Sequence, residues 1–157
     1  MPRDDRTAGL ELDSRRYVAS YVLFNQAVAD HLGMHPTDVQ CLSLLGIEPG
    51  PFTTGRIAEL TGLTSGSATR LVDRLERAGY VTRQRDEEDR RRVLVVPVAA
   101  AMRRLGEFWD SLAEGWLATF EGYTEQELAL LGRHMRRTTE LAQRQIEYLR
   151  ALPTEPR

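Results

Sequence analysis

Apolar residues recur at helical spacing along both ends of the chain, and alternate with polar ones in a short central stretch. Near the start, Tyr17, Val18, Tyr21, Phe24, Val28 and Leu32 form one stripe, which predicts a helix from about Ser14 to His31. Thr37 and Gln40 are spaced as a capping box for a second helix through Leu45. Ile47 to Phe52 holds one Gly and two Pro and reads as a connector. Two short amphipathic helices follow. Thr54 is placed to cap the first, whose inward face is Ile57, Ala58 and Leu60. Gly62 permits the turn between them. Leu63 and Thr64 staple and cap the second, which spans about Ser65 to Ala78. Its inward face is Ala68, Leu71, Val72 and Leu75, and Gly79 is its stop signal.

The alternating stretch comes next. Tyr80 to Gln84 and Val93 to Val96 read as two strands joined by the charged tip Arg85 to Arg92. Further on, Leu105, Phe108, Trp109, Leu112, Trp116 and Phe120 mark a long fifth helix. Thr124 and Glu127 form a capping box for a sixth. Along that helix Leu128, Leu131, Met135, Thr138, Ala142, Gln145 and Leu149 recur at spacings of three and four. So narrow a seam on so long a helix has little of its own chain to pack against. It predicts an interface with a second copy, built from the first and last two helices, with intrachain packing as the alternative.

Two helices around a Gly turn, then a hairpin with an Arg-rich tip, is the order of a winged helix-turn-helix. The outward face of the second helix carries Ser65, Ser67, Thr69, Arg70, Arg74 and Arg77. Its first turn, Thr64-Ser65-Gly66-Ser67, is small and polar, so it does not hold the helix away from a DNA groove. Free N–H groups there suit phosphates or base edges. Arg70 is the best candidate for base reading, because a guanidinium can bind guanine O6 and N7 together. In the tip, Asp89 is placed to anchor an Arg of the same loop and turn Arg90 or Arg91 toward a minor groove. The candidate DNA contacts are therefore Thr64, Ser65, Gly66, Ser67, Thr69, Arg70, Arg74, Arg85, Arg90 and Arg91, with Asp89 supporting the wing. The alternatives are a solvated helix face and an ordinary charged loop, the latter favoured by the acidic run Asp86 to Asp89.

These residues resemble the MarR family of bacterial transcription regulators. The likeness rests on Ile57-Ala58 with Gly62, on the run Thr69 to Val81, on Asp89-Arg90-Arg91, and on Pro36 to Gln40 opening an earlier helix. It covers most of the chain. It implies an obligate homodimer on pseudo-palindromic operators, usually a repressor released by a small molecule. One departure stands after the second strand, where Val96-Pro97-Val98-Ala99-Ala100 replaces the family's usual Leu-Thr pair and following Gly. Pro97 is read there as opening a helix.

The expected fold is mainly α with a small β-hairpin wing (α+β), as one domain over 157 residues. Within it, 36–97 form the winged DNA-binding lobe, and 10–35 with 98–152 form a helical dimerisation lobe. Residues 1–9 and the tail from Pro153 are expected to be loose. The net charge of −2 does not announce a nucleic-acid binder. Yet Thr54 to Arg92 holds nine Arg against seven acidic residues, a weakly basic face on an acidic body. All 21 basic residues are Arg, which points to a GC-rich genome and says nothing of mechanism. No segment reads as a membrane span or signal peptide, so a cytoplasmic location is expected.

Candidate lining residues for a small aromatic or amphipathic effector are Tyr17, Tyr21, Phe24, His31, Met34 and Trp109, although aromatics at helical spacing are more often core. Asp30, His31, His35 and Asp38 are metal-ligand types close in sequence, but Pro36 breaks any common face, and neither a metal nor a cofactor is expected. Cys41 is the sole cysteine, and in an apolar helical setting it reads as buried and inert. No nucleophile–base pattern or Gly-rich phosphate loop supports an enzyme. The remaining rivals to a ligand-released DNA-binding repressor are a protein-binding winged-helix anti-repressor and a metal-responsive regulator.

Overall fold

The structure, a computed structural model, describes residues 5–153, with side chains from residue 9. Six helices and one hairpin succeed each other: α1 (Asp5–Leu32), α2 (Pro36–Ile47), α3 (Thr54–Thr61), α4 (Ser65–Arg77), β1 (Val81–Arg85), β2 (Val93–Pro97), α5 (Ala99–Ala118) and α6 (Glu125–Ala151). The mainly helical fold with a hairpin wing is as expected.

α1 starts nine residues before the expected Ser14. Its first turns carry good helix formers such as Leu10, Glu11 and Leu12 but no apolar stripe, so periodicity alone passes over them. Residues 5–9, expected to be loose, are instead the start of α1, while residues 1–4 and 154–157, expected to be loose as well, lie outside the described residues. α2 is capped by His35, not by a Thr37–Gln40 box. Pro36 occupies the first helical position and holds its predecessor extended, and His35 Nδ1 accepts the Thr37 N–H at 3.3 Å. α3 is capped one residue earlier than expected, by Thr53, whose Oγ1 accepts the Arg56 N–H at 3.1 Å.

α4 has sharply defined ends. Thr64 Oγ1 accepts the Ser67 N–H at 3.3 Å. At the other end the Gly79 N–H donates to the Glu76 carbonyl at 3.0 Å, and the Tyr80 N–H to the Leu75 carbonyl at 2.9 Å. That paired closure needs a left-handed residue, which Gly79 supplies at φ +78°. Between these ends Ala68, Leu71, Val72 and Leu75 are fully buried. With Val39, Cys41 and Leu42 of α2, Ile57 of α3, Val81 of β1 and Val95 of β2 they make up the buried core of the winged helix.

β1 and β2 pair antiparallel, from Val81 opposite Pro97 to Arg85 opposite Val93. The segment before α3 extends the hairpin, since the Val95 N–H donates to the Phe52 carbonyl at 2.8 Å and Thr53 bridges Leu94. Pro97 does not open α5 as expected. It ends β2, where a missing N–H costs nothing, and Val98 makes the next bond by donating to the Tyr80 carbonyl at 2.9 Å. Val98 then accepts the Met102 N–H, which starts α5 at Ala99.

The chain forms two compact units, divided between Gly106 and Glu107. The first holds the winged helix together with α1. The second holds the rest of α5 and all of α6. Within it Thr124 and Glu127 form the expected capping box, and no α6 residue is buried.

Candidate nucleic-acid interface

The opening of α4 is small, polar and open. Ser65, Gly66, Thr69 and Arg70 are exposed, and Ser67 is half-buried. The Thr69 hydroxyl donates back to the Ser65 carbonyl at 2.9 Å. The N–H groups of Ser65 and Gly66 fall in the first turn, where a helix has no internal acceptor. They are therefore available to an anion, and the helix dipole favours one there. Arg70 donates through Nη2 to Ser67 Oγ at 3.3 Å, a weak tether that leaves its guanidinium unpaired by any carboxylate among the described residues.

Arg74 sits differently. Its Nε and Nη2 donate to Asp38 Oδ2 and Oδ1 at 2.8 and 2.5 Å, a side-on fork that joins α4 to α2. Asp38 is buried at 4% exposure and uses both oxygens on this one partner. The hydrogen bond to Asp38 raises the Arg74 pKa further above its ordinary value. Burial, helped by the charge of Asp38, pushes the Cys41 thiol up to about 12.

The wing is tied to α4 by Arg83. Its Nη2 lies 2.6 Å from Asp73 Oδ1, its Nη1 pairs with Glu76, and its backbone N–H donates to Glu76 Oε1 at 3.0 Å. Partial burial pulls the Arg83 pKa down, and the bonds to Asp73 and Glu76 outweigh it, so the net direction is up.

At the wing tip the anchor is Asp86 and not Asp89. Asp86 is buried, its carboxylate lies 3.5 Å from Arg92 Nε and accepts the Glu88 N–H at 3.0 Å, and its own N–H donates to the Arg92 carbonyl. Asp89 instead shapes the turn, accepting the Arg91 N–H at 3.0 Å on its side chain and the Arg92 N–H at 2.8 Å on its carbonyl. The reason is position. Asp86 directly follows β1 and faces the returning chain, whereas Asp89 sits at the reversal. Arg85, Arg90 and Arg91 are exposed, and among the described residues they make no ion pair.

Four of the nine Arg of this segment are thus committed to carboxylates: Arg56 on Glu59, Arg74 on Asp38, Arg83 on Asp73 and Glu76, and Arg92 on Asp86. Their positive charge is largely offset in place. Arg70, Arg77, Arg85, Arg90 and Arg91 carry the uncompensated charge of the face. Asp38, Asp86 and the Asp73–Arg83–Glu76 group were not identified as supports from sequence. Their partners lie across turns or on other helices, so no local spacing announces them.

Comparison with known proteins agrees with this geometry. The profile of the MarR family matches residues 32–92. The chain is 41% identical over 129 residues to the HTH-type transcriptional regulator YcgE of Bacillus subtilis, covering 82% of this chain and 83% of that one. The chain belongs to the MarR family. A second B. subtilis regulator, YfiV, is 41% identical over 64 residues, 41% of this chain and 39% of that one. Among solved structures, a MarR family protein from Bacillus stearothermophilus superposes with TM-score 0.68 at 23% identity, covering 90% of this chain and 99% of that chain. The structure of MarR itself gives 0.59 at 25% identity, covering 86% and 98%. The chain is therefore a MarR-family transcriptional regulator with a DNA-binding winged helix, and not an enzyme.

The candidate effector residues are spread over both units of this MarR-family chain. Tyr17, Tyr21 and Phe24 follow one another along α1 with ring centroids 6.4 Å apart, His31 lies in its last turn, and Met34 is in the loop after it. Trp109 is in α5, edge-on to Phe108 at 5.6 Å. Of the metal-ligand types, Asp30 accepts from Gln26 at 2.8 Å, His35 caps α2, and Asp38 is taken by Arg74. Among the described residues no three His, Cys, Asp or Glu side chains come together as a metal site. No described helix is long and apolar enough to cross a membrane.

Proposed function

We propose that the protein is a cytoplasmic repressor that binds a pseudo-palindromic operator as a homodimer and is released by a small aromatic or amphipathic ligand. α4 enters the major groove, with Thr64, Ser65, Gly66 and Ser67 at the backbone and Thr69 and Arg70 at base edges. The wing carries Arg85, Arg90 and Arg91 along the adjacent backbone or minor groove. The observation that carries this reading is the division of labour among arginines. Arg56, Arg74, Arg83 and Arg92 are paired with carboxylates, while Arg70, Arg77, Arg85, Arg90 and Arg91 stand exposed without them. Support for the homodimer comes from the apolar surface that a lone chain leaves in water. Tyr17, Val18 and Tyr21 of α1 are more than half exposed, and α6 exposes Leu130, Met135, Leu141, Ile146 and Leu149.

The test is footprinting on the chain's own upstream region at physiological salt with excess unrelated DNA. A protected site of two-fold symmetry supports the proposal. Binding that competitor erases argues against a sequence-specific regulator.

A further inference from the structure

We propose that Asp38 is a positioning residue for DNA recognition: it holds Arg74 by two N–H groups so that the remaining edge of the guanidinium is presented to a DNA backbone phosphate. This rests on α4 being the helix that enters the groove.

A carboxylate at 4% exposure is costly to keep charged, and only a well-oriented partner offsets that cost. Arg74 supplies one with two donors at 2.8 and 2.5 Å. Buried pairs of this kind add little net stability compared with a well-packed apolar pair, and fixing one geometry among alternatives is their best-attested use. Here the geometry fixed is the rotation of α4 about its own axis. Asp38 belongs to α2, so turning or sliding α4 breaks both bonds together.

The pair also leaves Arg74 with donors to spare. A guanidinium has five N–H groups, and the fork to Asp38 uses one on Nε and one on Nη2. Nη1 has no partner among the described residues, and the side chain is 40% exposed. Arg74 lies one turn after Arg70, on the same side of α4. A guanidinium already immobilised by a neighbour loses less freedom when it takes a phosphate. Lys in its place would keep the charge but not the fork.

The sign of one substitution separates this role from simple electrostatics. An acidic residue beside a DNA-binding face repels phosphates, so its loss alone would tighten binding. If Asp38 positions Arg74, its loss weakens binding instead.

The experiment uses the full chain and the duplex that the unmodified protein selects from a randomised library. Affinity for that duplex and for an unrelated one is read by fluorescence anisotropy, and folding by circular dichroism. Asp38→Asn and Arg74→Lys are each expected to weaken the selected and the unrelated duplex alike, about tenfold, because a phosphate contact carries no sequence information. The double variant is expected to be no weaker than either single one, as for two residues acting as a unit. Equal or tighter binding by Asp38→Asn, a loss confined to the selected duplex, or additive losses in the double variant would each overturn the proposal. If Asp38→Asn does not fold, Arg74→Lys decides: affinity retained on both duplexes would overturn the proposal, since Lys keeps the charge and loses only the fork. A protein that selects no duplex at all overturns the DNA-reading assignment of α4 itself, and this proposal with it.

Discussion

Arg83 of β1 reaches Asp73 of α4 with Nη2 2.6 Å from Oδ1, so the wing and the helix it flanks are joined by an ion pair. Glu76, one turn further along α4, holds the same guanidinium and the Arg83 backbone N–H. The wing therefore inherits its angle from α4. Arg83→Ala frees it. Because these carboxylates are partly exposed, the expected loss of stability is modest, about 1 kcal/mol in a urea titration. DNA affinity is expected to fall by a larger factor than stability explains, measured on the same protein at a concentration where it is fully folded.

Arg70 and the wing-tip arginines are expected to fail in different ways. Arg70→Ala removes a base-reading group and costs about 1–3 kcal/mol on the specific site, with relaxed preference at one position of each half-site. Arg90→Ala or Arg91→Ala weakens specific and unrelated duplexes alike, and lowers the slope of log affinity against log salt by about one. Anisotropy titrations over a salt series distinguish the two patterns.

The winged helix was legible in the sequence because its signals are local. The apolar face of α4, its Thr64 cap, the Gly62 turn and the Gly79 stop each lie within a few residues of what they control. Contacts between elements were not legible. Asp38 read as a metal-ligand type because its partner Arg74 lies 36 residues on and on another helix. Asp86 read as part of an acidic run, and only the returning strand makes it the buried anchor of Arg92. The start of α1 was hidden for another reason, since its first turns carry propensity without periodicity.

Cys41 gives a test of the core beneath the interface. Its thiol pKa is raised from 9.0 to about 12 by burial and by Asp38, so the folded chain holds this proton where the unfolded chain releases it. Fewer protons bound by the unfolded state means that stability falls as pH rises between these two values. The native protein is expected to resist a thiol reagent at pH 9, and to react promptly once urea unfolds it. Prompt native reaction would contradict the packing around α2.

The apolar surface of α6 bears on assembly. Sedimentation of the unmodified protein is expected to give twice the 17.8 kDa mass of one chain. Met135, 49% exposed on α6, lies in the apolar seam of that helix. Met135→Glu places a charge there, and is expected to shift the mass toward the monomer and weaken operator binding in proportion.

The placement of α4 in the major groove is tested most directly by methylation protection at guanine N7, an atom that only the major groove exposes. Two protected patches are expected, one in each half-site and roughly 10 base pairs or a multiple apart, with the Arg70→Ala protein losing protection at one guanine in each. Guanines that stay open to methylation under saturating protein, or protection unchanged by Arg70→Ala, would contradict the assignment.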